Sequence, residues 1–152
     1  MDAIDLALVD LLRGNARLSY AELARQVGLS APAVHERVGK LEAGGVIRAY
    51  RAEVEPETIG LAVTALISVV EDSGADTDDV LEAIRAMPEI ESCYFMAGVE
   101  SFLLKARVST IAELEQLIVR LNRTPGVAST RTSIALSTKW ENRPQPVGPS
   151  SS

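Results

Sequence analysis

Residues 30–43 carry an apolar stripe opposed by a face of polar and small side chains. The stripe consists of Val34, Val38 and Leu41. The opposite face and its flanks consist of Pro32, His35, Glu36, Gly39 and Lys40. This spacing predicts a helix that buries one face and exposes the other. An exposed helix face of this composition has the hydrogen-bonding groups needed to contact base edges in a DNA major groove.

Several of these polar side chains also have simpler interpretations. Lys40 and Arg37 are predicted donors to phosphates or bases, whereas Glu36 can accept from cytosine N4 but repels phosphate. A solvated helix surface is the alternative for each residue, and for Glu36 the two readings are equally open. Arg37 could instead anchor the helix through an ion pair with a neighbouring acid. His35 is the only histidine, so a histidine-rich metal site is excluded and a base or phosphate contact is favoured over catalysis. The predicted DNA-binding residues are Ser30, Ala31, Pro32, His35, Glu36, Arg37 and Lys40.

The segment before this helix predicts how the helix is positioned. Ser19 and Glu22 have the spacing of a capping box that starts a short helix. Gly28 tolerates the left-handed conformation that ends it, and Ser30 can cap the next helix. Two helices separated by three residues match a helix-turn-helix, with a plain helical hairpin as the alternative. A helix in "IDLALVDLL" precedes them, and the alternation in "VIRAY" predicts a strand after them.

The charge of the chain is unevenly distributed. The 152 residues include 15 Lys+Arg against 21 Asp+Glu, a net charge of −6 with a pI near 4.8, which is unusual for a protein that binds nucleic acid. Residues 1–52 nevertheless carry a net charge of +1, and residues 11–52 carry +4. The acidic residues are therefore concentrated outside the predicted helix-turn-helix.

Residues 61–138 have a different pattern, in which apolar strands alternate with two capped helices. Strands are predicted at "LAVTALISVV", "IESCYFM", "SFLLKARV" and "VASTRTSIAL". Thr77 is predicted to cap the first helix, and a capping box from Thr110 to Glu113 to start the second. The order β-α-β-β-α-β predicts a ferredoxin-like sheet with both helices on one face. Its other face has no cover within the chain, so we expect a second subunit there.

The predicted fold class is α+β, with two domains joined by a linker. Residues 1–52 are expected to form a three-helix, winged-helix-like helix-turn-helix domain that binds DNA. Residues 53–60 are the linker, and residues 61–138 are the ferredoxin-like domain. Residues 139–152 are a Pro/Ser-rich tail that we expect to be flexible.

Composition argues against several other classes of protein. Cys93 is the only cysteine, which excludes an intramolecular disulfide and an all-cysteine metal cluster, and its apolar neighbours predict a small core residue. No apolar run is long enough to cross a membrane and no secretory signal is visible, so we expect a cytoplasmic protein. No Ser-His-Asp set, phosphate loop or paired carboxylates are present. We therefore expect no enzyme activity, no cofactor and no bound metal.

The two halves in this order resemble the Lrp/AsnC (feast/famine) family of transcription regulators. The resemblance lies in "ARLSYAELARQVGLSAPAVHERVGKLEAGGVIRAY" and in "MAGVESFLLKARV" followed by "TPGVASTRTSIALS". It implies an N-terminal domain that binds double-stranded DNA. It also implies a C-terminal domain that dimerises, assembles further into an octamer and binds small effectors, often amino acids. A DNA-organising protein of the same fold without an effector is the first alternative, and a small ferredoxin-like enzyme is a disfavoured second.

One loop departs from the family pattern and is the predicted effector site. Many members have Gly-Asp-Tyr-Asp where this chain has Gly98, Val99, Glu100 and Ser101. A turn at Gly98 can present backbone N–H groups to an amino-acid carboxylate, while Glu100 and Ser101 can accept from its ammonium. Thr132 is a further candidate on the last strand. A solvated hairpin is an equally open alternative.

Overall fold

The computed structural model describes residues 1–148 and divides into two compact units. Met1–Glu53 and the segment that begins at Trp140 form one unit, and Val54–Lys139 form the other. Residues 149–152, the end of the predicted tail, lie outside the described residues.

Three helices make up the first unit: α1 (Ala3–Gly14), α2 (Tyr20–Val27) and α3 (Ala31–Ala43). Their apolar faces meet in one core, whose most deeply buried side chains are Leu8, Leu23, Val34 and Val38. The apolar stripe predicted for α3 is thus its buried face.

Local hydrogen bonds set the boundaries of α2 and α3. Ser19 Oγ accepts from the N–H of Glu22 at 3.1 Å, and the Glu22 carboxylate accepts from the N–H of Ser19 at 2.7 Å, which confirms the predicted capping box. Gly28 ends α2 with φ of 73°, in the left-handed region. Ser30 Oγ then accepts from the N–H of Ala33 at 3.3 Å and caps α3 as predicted. The turn between the helices is therefore short and held at both ends.

The strand predicted at "VIRAY" is wrong. Residues 48–55 have no regular secondary structure, and Pro56–Ile59 form a short 3₁₀ helix. Alternating side chains indicate an extended backbone, but a strand also needs a neighbour to pair its N–H and C=O groups. No strand within residues 1–148 pairs with this segment.

The second unit has the predicted order of strands and helices. Its elements are β1 (Val63–Glu71), α4 (Thr77–Arg85), β2 (Ile90–Phe95), β3 (Phe102–Val108), α5 (Ile111–Arg123) and β4 (Val127–Ala135). The four strands form one antiparallel sheet in the order β2-β3-β1-β4. This arrangement confirms the ferredoxin-like fold.

Thr77 was predicted to cap α4, and this is wrong. The carboxylate of Asp76 accepts from the N–H groups of Asp78 and Asp79 at 3.0 and 3.3 Å. A carboxylate is the stronger acceptor at a helix N-terminus, where the helix dipole also favours negative charge. The Thr77 hydroxyl donates instead to Glu71 at 3.2 Å.

The cap of α5 differs from its prediction by one residue. Thr110 Oγ1 accepts from the N–H of Glu113 at 3.2 Å, as predicted. The Glu113 carboxylate accepts from the N–H of Ser109 at 2.8 Å rather than from that of Thr110. The start of α5 is fixed by both bonds.

The sheet buries one face under α4 and α5. That face consists of alternate residues of β1 and β3, which are Ala65, Ile67, Val69, Phe102, Leu104 and Ala106. Neither helix covers the other face, where Leu66 is 44% exposed and Tyr94 is 56% exposed. On the side that lacks helices, the sheet therefore presents exposed apolar side chains beside charged ones such as Lys105 and Arg131.

Cys93 is exposed, so its predicted place in the core is wrong. It pairs with buried Leu104 and so faces the helix side of the sheet. However, β2 is an edge strand, and the helices cover the central strands more fully than this edge. Partial burial raises the pKa of the Cys93 thiol, against a smaller opposing effect of Arg85.

Candidate functional site

The exposed face of α3 carries the polar residues that were predicted to contact DNA. Pro32, His35, Glu36 and Lys40 are exposed, whereas Ala31 is half-buried at the start of the helix. Ser30 uses its hydroxyl as the helix cap. The structure thus brings these six predicted residues together along one side and one end of a single helix.

Lys40 and Glu36 form an ion pair on this face. Lys40 Nζ lies 2.8 Å from a Glu36 carboxylate oxygen, and the two side chains are 75% and 69% exposed. The hydrogen bond from Lys40 holds the pKa of Glu36 below its ordinary value. Because exposed pairs with this spacing stabilise a helix only weakly, a phosphate could replace Glu36 as the partner of Lys40. In the free protein, the cation of Lys40 is therefore paired with Glu36.

Arg37 does not share this exposed face, and the structure favours the anchoring alternative. Its guanidinium Nη1 lies 2.8 Å from Asp2 and 2.9 Å from Asp5. Asp2 and Asp5 also form a capping box at the start of α1, which was not predicted. The backbone N–H of Asp5, and then Arg37, hold the pKa of Asp2 below its ordinary value. Arg37 thus ties α3 to the N-terminus of α1, and its guanidinium, on a side chain that is 32% exposed, is engaged with two carboxylates.

Two aromatic side chains flank α3, and neither was predicted to take part in the site. The ring of Tyr20, the first residue of α2, lies edge-to-face against His35 with 4.7 Å between ring centroids. The hydroxyl of Tyr50 donates to Glu42 at 2.7 Å. Burial, followed by the bond to Glu42, raises the pKa of Tyr50 to about 12. Because His35 and Glu42 are two helical turns apart, both contacts lie along the same flank of α3.

The second predicted site, the loop between β2 and β3, is a glycine-containing turn. Gly98 adopts φ of 130°, which other residues rarely reach, and Val99 is 78% exposed. The backbone of Ser101 is used by the sheet: its N–H donates to Val69 O and its O accepts from Met96 N–H, both at 2.8 Å. The backbone of Ser101 is therefore committed to the fold, whereas Gly98 and Val99 are accessible.

Glu100 already has a cationic partner within the chain. A carboxylate oxygen of Glu100 lies 3.0 Å from Arg131 Nη2 on β4. Arg131 was not predicted as a site residue, since the two residues are 31 positions apart. The pair places one carboxylate and one guanidinium at the end of the sheet, and these groups are complementary to the ammonium and the carboxylate of an amino acid.

Thr132, the other predicted effector residue, does not lie beside Glu100 within one chain. Thr132 pairs with buried Ile67 and so faces the helix side of the sheet. Arg131 is adjacent to it in β4 and faces the opposite side. Successive side chains of a strand point to opposite faces, so Arg131 lies beside Glu100 and Thr132 does not.

Residues 1–148 contain no group of three or more His, Cys, Asp or Glu side chains placed to hold a metal ion. No helix within that range is both long and apolar enough to cross a membrane.

Known family models match both units. The AsnC-type helix-turn-helix domain matches residues 1–42, and the Lrp/AsnC ligand binding domain matches residues 62–145. A helix-turn-helix followed by this ligand-binding fold defines a class of transcription regulators.

Individual proteins agree with the family models. The HTH-type transcriptional regulator LrpA of Mycobacterium tuberculosis is 37% identical over 143 residues, which cover 94% of this chain and 95% of that protein. The feast or famine regulatory protein from M. tuberculosis, complexed with L-methionine, has a TM-score of 0.89 and 37% identity, and the match covers 95% of this chain and 97% of that one. A transcriptional regulator of Neisseria meningitidis in complex with L-Met has a TM-score of 0.88 at 28% identity, with 96% of each chain covered. The chain belongs to the Lrp/AsnC family of transcription regulators.

Proposed function

We propose that this regulator binds specific DNA sequences through the exposed face of α3. The observation that carries the proposal is the arrangement of that helix. Val34 and Val38 lie on the buried side of α3. His35, Glu36 and Lys40 lie on its exposed side, and α3 is the second helix of the helix-turn-helix. Lys40 supplies charge toward phosphate, and Pro32, His35 and Glu36 are placed to contact base edges. Because the chain belongs to a family of DNA-binding regulators, we place its action in the cytoplasm.

We further propose that the protein acts as a dimer or a larger assembly. The net charge of +1 on residues 1–52 provides few phosphate contacts for one helix-turn-helix, so affinity has to come from paired units. Two recognition helices about 34 Å apart would contact successive major grooves on one side of the duplex. Leu66 and Tyr94, exposed on the face of the sheet without helices, support pairing through that face. Further assembly toward an octamer is the family expectation.

An amino acid is the proposed effector. Two relatives of known structure were solved in complex with L-methionine. In this chain Arg131 can receive a carboxylate and Glu100 an ammonium, and an amino acid binding there would exchange their mutual ion pair for two pairs with the ligand. Backbone N–H groups near Gly98 provide additional donors. The site is proposed to lie at a contact between subunits, where neighbouring residues exclude water.

A DNA-organising protein without an effector is the second candidate function. The observation that favours it is the Glu100–Arg131 ion pair, because a loop whose charges already neutralise each other does not require a ligand. It is also consistent with the departure of residues 98–101 from the family pattern.

Two measurements on the purified full chain test these proposals. Selection of duplexes from a random pool should recover a common sequence, and recovery of unrelated duplexes would contradict sequence-specific binding. Calorimetric titration with each of the twenty amino acids should then identify at least one that binds. If the protein selects a common DNA sequence but no amino acid gives heat of binding, the result would favour the second candidate, a protein without an effector.

A further inference from the structure

The imidazole of His35 is packed against a second aromatic ring on the protein surface. The ring centroids of Tyr20 and His35 are 4.7 Å apart, and the ring planes make an angle of 75°. This is the edge-to-face geometry that aromatic rings prefer. The contact joins the first residue of α2 to the exposed side of α3 and therefore spans the helix-turn-helix.

Tyr20 is well placed to hold another side chain. The capping box of Ser19 and Glu22 fixes the backbone on either side of it. Tyr20 is 40% exposed and is not one of the buried residues that form the core of the first unit. Its hydroxyl makes no hydrogen bond to any residue in the range 1–148. Its ring contacts His35.

The position of His35 gives this contact a consequence for DNA binding. His35 lies on the flank of α3 beside the face that carries Pro32 and Glu36. A free histidine on a helix surface samples several rotamers, and it has to lose that freedom when it contacts a base or phosphate. A ring already packed against Tyr20 loses less on binding.

We propose that Tyr20 is a positioning residue for DNA recognition, which orients the imidazole of His35 on α3 before DNA binds. The inference rests on the proposed function and deepens it, since it assigns part of the sequence preference to a residue outside the recognition helix. Tyr20 acts through His35 and does not itself contact a base.

A double-mutant cycle on the full chain tests the assignment. The probe is the duplex that the wild-type protein selects from a random pool, together with copies altered at single base pairs. Tyr20→Leu, which keeps apolar bulk without a ring, should weaken binding by about three- to tenfold. It should reduce the preference at the same base pairs as His35→Ala. Tyr20→Phe, which keeps the ring, should keep the affinity and the base-pair preference of the wild type.

The cycle separates positioning from the other possible roles of Tyr20. In the His35→Ala background, Tyr20→Leu should cause no further loss, whereas independent losses that multiply would overturn the proposal. A loss in Tyr20→Phe equal to that in Tyr20→Leu would also overturn it, because the hydroxyl would then be the contact. Tyr20→Gln provides a second ring-free variant if Tyr20→Leu does not fold.

Measurements without DNA check the packing itself. The imidazole proton resonances of His35 should shift in Tyr20→Leu and stay near their wild-type positions in Tyr20→Phe. Unchanged resonances in Tyr20→Leu would show that the rings are not in contact in solution.

A wild-type protein that selects no common DNA sequence would contradict the proposed function. A common sequence with independent losses in the double-mutant cycle would contradict only the role of Tyr20.

Discussion

The guanidinium of Arg37 on α3 lies 2.8 Å from a carboxylate oxygen of Asp2, the residue that caps α1. The same guanidinium reaches Asp5 at 2.9 Å, so one cation ties the recognition helix to the start of another helix. We expect Arg37→Met to lower the melting temperature measurably, because two carboxylates lose their cation. The dependence of DNA affinity on salt should stay as in the wild type. Thermal unfolding and binding at several salt concentrations measure the two effects. If the DNA affinity of Arg37→Met depends less steeply on salt than that of the wild type, Arg37 contacts DNA after all.

The same contact predicts a dependence of stability on pH. Hydrogen bonds from Asp5 and Arg37 lower the pKa of Asp2 in the folded state, so its contribution is present above the ordinary carboxyl pKa and is lost as pH falls through the folded value. We expect the stability difference between wild type and Asp2→Asn to shrink between about pH 5 and about pH 2. Asp10→Asn is the control, since within residues 1–148 Asp10 pairs with Arg13 alone, on its own helix and at 3.6 Å.

Lys40 should account for part of the salt dependence of DNA binding. If it contacts a phosphate, Lys40→Ala should weaken binding and reduce the slope of log affinity against log salt by about 0.9 per contact. Glu36→Gln is the matched variant, because it removes the partner that Lys40 has in the free protein. It should strengthen non-specific binding to DNA and should alter the preference at the base pairs that Glu36 contacts. An unaltered slope in Lys40→Ala would place this lysine off the interface.

The face of the sheet without helices should form the dimer. Leu66 is 44% exposed on that face, and Leu66→Glu would place a charge where the proposed partner subunit packs. We expect this variant to sediment as a monomer at micromolar concentration. Val119→Glu is the control, since Val119 lies on α5 with a similar exposure of 38%. A dimer that persists in Leu66→Glu would show that subunits pair elsewhere.

Glu100 and Arg131 should both be needed for an amino-acid effector. Loss of a charged hydrogen bond costs about 1.5–3 kcal/mol, so Glu100→Ala and Arg131→Ala should each weaken binding about tenfold or more. Ser101→Ala should have a smaller effect, and Thr132→Ala none, because Thr132 faces the other side of the sheet. Calorimetry with the amino acid that binds the wild type provides the measurement. Affinity unchanged in both charge variants would move the site away from this loop.

Gly126 should be a position where the second unit tolerates no side chain. It has φ of 91°, and a Cβ atom built there would lie 2.7 Å from Val80 Cγ2 on α4. Gly126→Ala therefore adds a steric clash to backbone strain, and we expect a loss of about 2–3 kcal/mol in urea unfolding. Gly74→Ala is the matched control, with φ of 84°. Apart from its two chain neighbours, no residue in the range 1–148 has an atom within 4 Å of the new Cβ, so this variant should show the strain alone. Equal losses in the two variants would rule out the contact with Val80 as the cause.

Features that depend on residues close in the chain were predictable from the sequence. The capping box of Ser19 and Glu22 and the left-handed turn at Gly28 involve neighbours within one helical turn, and both are present. The buried stripe of α3 follows from helical periodicity alone. The order of strands and helices in the second unit was predictable for the same reason, since each element carries its own apolar period.

Features that depend on residues distant in the chain required the tertiary structure. Glu100 meets Arg131 across 31 positions and Arg37 meets Asp2 across 35, and no local period relates either pair. Cys93 lies in an apolar strand, yet it is exposed because that strand is at the edge of the sheet. The sequence by itself determined which segments form helices and strands, because those choices depend on short-range hydrogen bonds and periodic burial. Only the packing of those segments decided which charged and aromatic side chains meet, because such contacts depend on strand order, register and helix crossing.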